Sequence, residues 1–259
     1  MTRPGVLIIA GLDPSGGAGL IADIRVCEQL GCRPVAVATA LTEQSTVEVR
    51  AVNPVAATVL GDQLQLLLSD VEVVAVKVGM LGSEAILDEV VRALELTAAP
   101  LVWDPVLRPT RGHVALYEGD PRRAVERMRG LVALCTPNAD EAEALTGRAI
   151  TSVDDAVAVG RELQQRGLPA TLIKGGHWGE PDQVVDVLVS GDGHALLVGP
   201  RIATPEGPVH GTGCALSTAI ACHLALGRSL EEACRAARAF VADRVAAPVF
   251  PGRGRGSVL

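Results

Sequence analysis

The stretch "GVLIIAGLDPSGGAGLIADIRVCEQLG", residues 5–31, decides the fold class. Val6 to Ala10 is an unbroken apolar run, the mark of a strand covered on both faces. The run ends at Gly11, and a loop with Gly16, Gly17 and Gly19 follows. Beyond it Leu20, Ile21, Ile24, Cys27 and Leu30 recur at helical spacing. A buried strand, a glycine loop and an amphipathic helix make the first half of a parallel α/β unit.

The same alternation continues outward. Short apolar runs at 34–41, 73–81, 99–106, 131–138 and 170–176 read as strands. Helical patterns fall at 53–71, 83–96, 139–147 and 153–167. In the first of these the apolar positions are Val59, Leu60, Leu64, Leu66 and Leu67; in the second Ser83 is a good N-cap. Residues 184–198 are two runs about a Gly-Asp-Gly turn, a hairpin signal. Two helices follow, one from about Gly213 and one over 229–245. The expectation is a three-layer α/β/α sandwich with a mainly parallel central sheet, in one domain over 1–259. The Gly/Arg-rich tail "PGRGRGSVL", after about residue 250, is expected to be poorly ordered.

In such sheets ligands sit beyond the carboxyl ends of the strands. Asp13, Gln44, Met80, Asp104, Asn138 and Lys174 all follow strand runs. Only two of the 23 basic residues are lysine, Lys77 and Lys174, both beside glycines, as if a compact charge for phosphate were needed there. Asn138 with Glu141 makes a capping pair, and the same two oxygen-bearing groups suit Mg²⁺ held through water. "HGTGCALS", 210–217, opens a helix whose N–H groups and dipole favour an anion. Gly211 and Gly213 let an oxyanion approach, and a thiol at that position, Cys214, is expected to have a depressed pKa.

Net charge −7 argues against a phosphate-backbone surface, so no nucleic-acid partner is expected. The first apolar run is too short for a signal-peptide core or a membrane span. The six cysteines show neither C-x-x-C nor zinc spacing, and Cys27, Cys135, Cys222 and Cys234 read as buried small hydrophobes. A cytoplasmic protein with free thiols is expected. The first loop lacks the G-x-G-x-x-G spacing of a dinucleotide-binding dehydrogenase and the Gly-Lys ending of a P-loop.

Taken in order, "IAGLDPSGGAGLIADI", "ALTEQST", "VKVGMLG", "VWDPV", "CTPNADEAEALTG", "IKGGH" and "HGTGCALSTAIA" resemble the hydroxymethylpyrimidine/phosphomethylpyrimidine kinases of thiamin biosynthesis, in the ribokinase-like superfamily. The resemblance covers nearly the whole chain. It implies ATP- and Mg²⁺-dependent phosphorylation of 4-amino-5-hydroxymethyl-2-methylpyrimidine and then of its monophosphate, by a homodimer. It implies a pyrimidine pocket of Gly11, Asp23, Gln44, Met80 and Val106. Gly211 to Cys214, with Thr212, would form the anion hole. Lys174 would lie near the transferring phosphoryl, Asp104 and Arg111 near the nucleotide phosphates, and Asn138 and Glu141 would organise Mg²⁺. Cys214 stands where sugar kinases carry an aspartate base, and is expected to accept the hydroxyl proton. The chain departs from the family at Leu12, Ser45, Thr110, Arg111, Val209 and Ala215. Arg108 and Arg111 are expected to replace a missing loop lysine. A related kinase for pyridoxine, pyridoxal or another aminopyrimidine, or a non-catalytic pyrimidine-binding homologue, remains open at this point.

Overall fold

The computed structural model describes residues 3–108, 114–176, 181–204, 207 and 209–259. Its strands are β1 (Gly5–Leu12), β2 (Arg33–Gln44), β3 (Val49–Pro54), β4 (Ala75–Val78), β5 (Gly82–Ser83), β6 (Leu101–Trp103), β7 (Tyr117–Glu118), β8 (Val132–Cys135), β9 (Ala170–Ile173), β10 (Gln183–Ser190), β11 (Gly193–Pro200), β12 (Val209–His210) and β13 (Gly256–Ser257). Its helices are α1 (Gly19–Gln29), α2 (Ala57–Asp70), α3 (Glu84–Leu94), α4 (Pro121–Met128), α5 (Ala139–Thr146), α6 (Val153–Gln165), α7 (Thr212–Ala225) and α8 (Leu230–Val245).

Nine strands form one sheet in the order β11-β10-β9-β8-β6-β4-β1-β2-β3. The run from β2 to β9 is parallel, and the antiparallel partners β3, β10 and β11 lie at the two edges. Period-two alternation explains how β1 serves both layers. Leu7 and Ile9 enter one core with Leu60 and Leu64 of α2, Ile86 and Val90 of α3, and Leu163 of α6. Val6, Ile8 and Ala10 enter the other with Val26 of α1, Ile220 of α7 and Ala237 of α8. These are the three layers of the expected α/β/α sandwich.

Local rules set the helix starts. The side chains of Ser83, Asp120, Asn138 and Ser152 each accept a hydrogen bond from a first-turn backbone N–H. The helix expected from residue 53 begins at Ala57, because Asn53 and Pro54 finish the edge strand β3 against Leu41 and Ala40. In α2 only Leu60 and Leu64 are buried, while Val59 and Leu66 face outward.

The segment 249–259 corrects the expectation of a poorly ordered tail. β13 pairs in parallel with β12, Ser257 exchanges two backbone bonds with Val249, and Ser257 and Val258 are buried. Its apolar end packs in the layer of α1 and α7, which offsets the ordering cost of its glycines.

Candidate active site

β6 ends at Trp103 and delivers Asp104 to the carboxyl edge of the sheet, fully buried. β9 ends one residue before Lys174, whose backbone N–H donates to the Pro137 carbonyl and keeps it in step with the loop after β8. Lys174 Nζ lies 2.8 Å from Asp104 Oδ1 and 3.4 Å from Glu141 Oε2. The Thr136 and Ser217 hydroxyls donate to the two oxygens of Asp104, each at 3.3 Å. Burial opposes the charge on Asp104, but Lys174 and Lys77 outweigh it and hold the carboxyl below its ordinary range. Glu141 goes the other way. Burial pushes it up to about 7 against the pull of Lys174. Burial would strip Lys174 of its proton, yet Asp104 and Glu141 reverse the effect and raise its pKa.

Above this cluster α7 starts. Gly211 is its N-cap at φ 80°, and a Cβ there would stand 2.1 Å from the Gly17 carbonyl oxygen. The first glycine loop and the anion turn are therefore packed backbone to backbone. Thr212 opens the helix, half-buried. A Cβ on Gly213 would lie 3.3 Å from Lys174 Nζ, so the helix N-terminus faces the lysine. Gly211 as N-cap has no side chain with which to cap α7, so the first N–H groups of the helix are suited to a ligand.

Cys214 is half-buried and feels the nearby charge of Lys77 and the Gly19 backbone N–H. Its pKa corrects the expectation of a thiolate. Burial pushes the thiol up to about 11, Asp23 and Asp104 add to this, and Lys77 and Gly19 only partly compensate.

Lys77 is also not a phosphate ligand here. It is fully buried, with Nζ 2.5 Å from Asp23 Oδ2, while Thr218 Oγ1 donates to Asp23 Oδ1 at 2.7 Å. Burial opposes its charge, but Asp23 raises its pKa. Asp23, expected in the pyrimidine pocket, thus spends both oxygens behind the wall. Asp13 likewise serves its own turn, accepting from Ser15 and from the Ala18 backbone N–H.

Three of the other residues expected in the pyrimidine pocket, Gly11, Met80 and Val106, come together in one apolar cluster. Met80 packs with Ala40, Leu116, Val52 and Val106. Gly11 lies under the Met80 methyl, where a Cβ would come within 2.2 Å. Gln44 ends β2, half-buried, at a register shift between Glu43 and Gln44. The Thr42 hydroxyl donates to the Leu12 carbonyl at 2.8 Å and stands 3.3 Å from Gln44 Oε1, so the amide is held beside the Gly11 wall. Arg108 is exposed, and Arg111 lies outside the described residues. Val209 is explained by its pairing with Gly256, and Ala215 by complete burial in the α7 core.

Asn138 and Glu141 form a complete capping box: Asn138 Oδ1 accepts from Glu141 N at 2.9 Å and Glu141 Oε2 from Asn138 N at 2.7 Å. The Asn138 amide oxygen is thus turned toward the helix start, and among the described residues no group of three His, Cys, Asp or Glu side chains could hold a metal ion. Oxygen chemistry at Glu141 still suits a hydrated Mg²⁺, held through water rather than by a protein cage.

The sequence matches the family model of phosphomethylpyrimidine kinases over residues 13–259. The chain belongs to that family. It is 37% identical over 255 residues to a hydroxymethylpyrimidine/phosphomethylpyrimidine kinase of Rhizobium meliloti, covering 97% of this chain and 95% of that one. It is 38% identical over 259 residues to a thiamine biosynthesis bifunctional protein of Geobacter sulfurreducens, spanning 99% of this chain but only 52% of that protein. A pyridoxal kinase of Staphylococcus aureus solved with AMP-PCP superposes with a TM-score of 0.90 at 28% identity, covering 99% of this chain and 93% of that one. Within this phosphomethylpyrimidine kinase family member, sequence reading missed Thr136, Ser217 and Thr218. The last two lie on the face of α7 that carries Cys214, at i+3 and i+4, so helical spacing could have found them.

Proposed function

We propose that the chain transfers the γ-phosphoryl of ATP to the 5-hydroxymethyl group of 4-amino-5-hydroxymethyl-2-methylpyrimidine, and a second phosphoryl to the resulting monophosphate, in thiamin biosynthesis. One observation carries this reading: the N-terminus of α7 faces the Lys174–Asp104 pair, and a cluster of Met80, Ala40, Leu116 and Val106 with Gly11 under the Met80 methyl supplies an apolar surface for the ring. The pyrimidine ring lies on that surface. Gln44, a donor and an acceptor at once, pairs with the ring amine and nitrogen. The backbone N–H groups from Gly211 to Cys214 and the Lys174 ammonium hold the transferring phosphoryl. Asp104 keeps Lys174 charged and aimed. Mg²⁺ bound with ATP would supply charge neutralisation at the phosphates, and Glu141 would hold it through water.

Cys214 takes a different part from the expected base. A thiol pushed up to about 11 is neutral near pH 7 and cannot accept a proton from the resting state. It positions the substrate hydroxyl instead. A loose phosphoryl-transfer transition state asks little of a base, since the hydroxyl becomes acidic only as the new P–O bond forms.

The reading takes residues 1–259 as one kinase domain working in the cytoplasm as a homodimer. Six free cysteines support the reducing compartment. No helix among the described residues is long and apolar enough to cross a membrane.

The test is direct. Purified chain is incubated with ATP, Mg²⁺ and the pyrimidine, and mono- and diphosphate products are counted by mass spectrometry. Both products are expected. Monophosphate alone restricts the chain to the first step, and turnover of pyridoxal in place of the pyrimidine replaces the reading.

A further inference from the structure

Segment 249–259 does not merely pack on the surface. It touches two pieces of the candidate site that come from opposite ends of the chain. The Gly254 N–H donates to Thr46 Oγ1 at 3.2 Å, and the Arg255 N–H donates to the Thr46 carbonyl at 3.0 Å. Thr46 is two residues beyond Gln44. The next residues, Gly256 and Ser257, pair with Val209 and His210, immediately before the anion turn at Gly211. The fit is close: a Cβ on Gly254 would stand 1.9 Å from the Thr46 carbonyl oxygen.

The hairpin tip has little else to hold it. Ser45 takes the N–H groups of Val47 and Glu48 and gives its own to Glu48, all within the tip. Among the described hydrogen bonds, those that leave residues 45–48 go to Gly254 and Arg255, apart from the exposed Arg50 guanidinium, which donates to the Glu48 carboxylate. On the other side, His210 is wedged under the first glycine loop, where a Cβ on Gly17 would meet its Nε2 at 2.2 Å. The segment itself is anchored by the buried Val258 and by the closed pair of bonds between Val249 and Ser257.

The geometry points to segment 252–257 as a strut that fixes the spacing between the Gln44 hairpin and the Gly211–Cys214 turn, so that Thr46 and Gly254 are positioning residues for the pyrimidine relative to the phosphoryl. The strut sets how far the ring-binding amide stands from the phosphate-binding N–H groups. It contributes no group to the reaction itself. This inference rests on the proposed pyrimidine kinase activity for its kinetic consequence, but not for its structural one.

The experiment therefore has two readouts on the full chain. Thr46→Val removes the acceptor for Gly254, Thr46→Ser keeps it, and Gly254→Ala forces the two backbones apart. Hydrogen exchange followed by mass spectrometry is run on all three without ligand. Faster exchange in both 44–49 and 209–214 is expected for Thr46→Val and Gly254→Ala, with wild-type exchange for Thr46→Ser. An effect confined to 44–49 overturns the strut, whatever the enzyme acts on. In the kinase assay the loss of one hydrogen bond should raise KM for the pyrimidine about fivefold in Thr46→Val, with KM for ATP unchanged and Thr46→Ser restored. Equal changes in both KM values, or none, also overturn it. If the wild-type chain fails to phosphorylate the pyrimidine, the functional reading falls, and the exchange data alone decide the strut.

Discussion

Cys214 shows how one residue type in one pattern can point two ways. A cysteine at a helix N-terminus beside a lysine is the usual recipe for a thiolate. Here the lysine is already committed to Asp23, and two buried carboxylates face the sulfur. Their sum, with burial, outweighs the helix end, whose effect is about 1 kcal/mol or less in exposed settings. Alkylation by iodoacetamide, followed on the Cys214 peptide by mass spectrometry, should therefore accelerate about tenfold per pH unit up to roughly pH 11. A plateau below pH 9 would show a thiolate after all. Neighbours explain what the sequence could not tell at this position: Asp23 and Asp104 are far from Cys214 in the chain, and their approach is a product of the sheet. Lys174, Asp104 and the Gly211–Gly213 turn were legible because each is marked locally, by a strand end or a glycine pair. For Asp23 only resemblance points to the pocket, and for Lys77 only its glycine neighbours point to phosphate; both are fully buried and paired with each other.

That buried pair belongs to the elements, since it bolts α1 to β4 and, through Thr218, to α7. Two fully buried charges are costly, and removing one partner is worse than removing both. Lys77→Met should destabilise the fold by about 3–5 kcal/mol in urea unfolding. The combination Asp23→Leu, Lys77→Met and Thr218→Val should recover most of that loss. A single-variant cost below about 1 kcal/mol would mean the pair is not a true buried ion pair. Element by element, the parallel strands were plain because each is a short apolar run with a polar residue after it. Six elements were not: the two-residue strands β5, β7 and β12, and β3, α4 and β13. β3 is a half-exposed edge strand with no clean apolar face. α4 buries only Ala124, Val125 and Met128 of its eight residues, though Asp120 and Pro121 are an N-cap and an N1 proline that mark its start. β13 is two residues long and gains its order from β12 and from Thr46, contacts that no local pattern encodes.

For the whole molecule the site is a junction. The first glycine loop, the β2–β3 hairpin, the β6 and β9 ends and the α7 start meet at one edge of the sheet. A ligand that bridges them stabilises the folded chain by mass action, about 2.7 kcal/mol at a hundredfold excess over Kd. For a chain of this size that is a rise in Tm of roughly 5–10 °C, measurable by differential scanning fluorimetry. ATP and the pyrimidine should each produce it. A shift with the pyrimidine but no product would identify a binding homologue instead of an enzyme.

Both lysines of the chain are locked into the ion pairs of this junction, Lys77 fully buried and Lys174 14% exposed at its side chain. Every other positive side chain is an arginine or a histidine. Amine-directed acylation, enzymatic or chemical, thus finds no lysine on the surface to label. Acylation of Lys174 then reports how accessible the site mouth is, and acylation of Lys77 reports how often the buried junction opens.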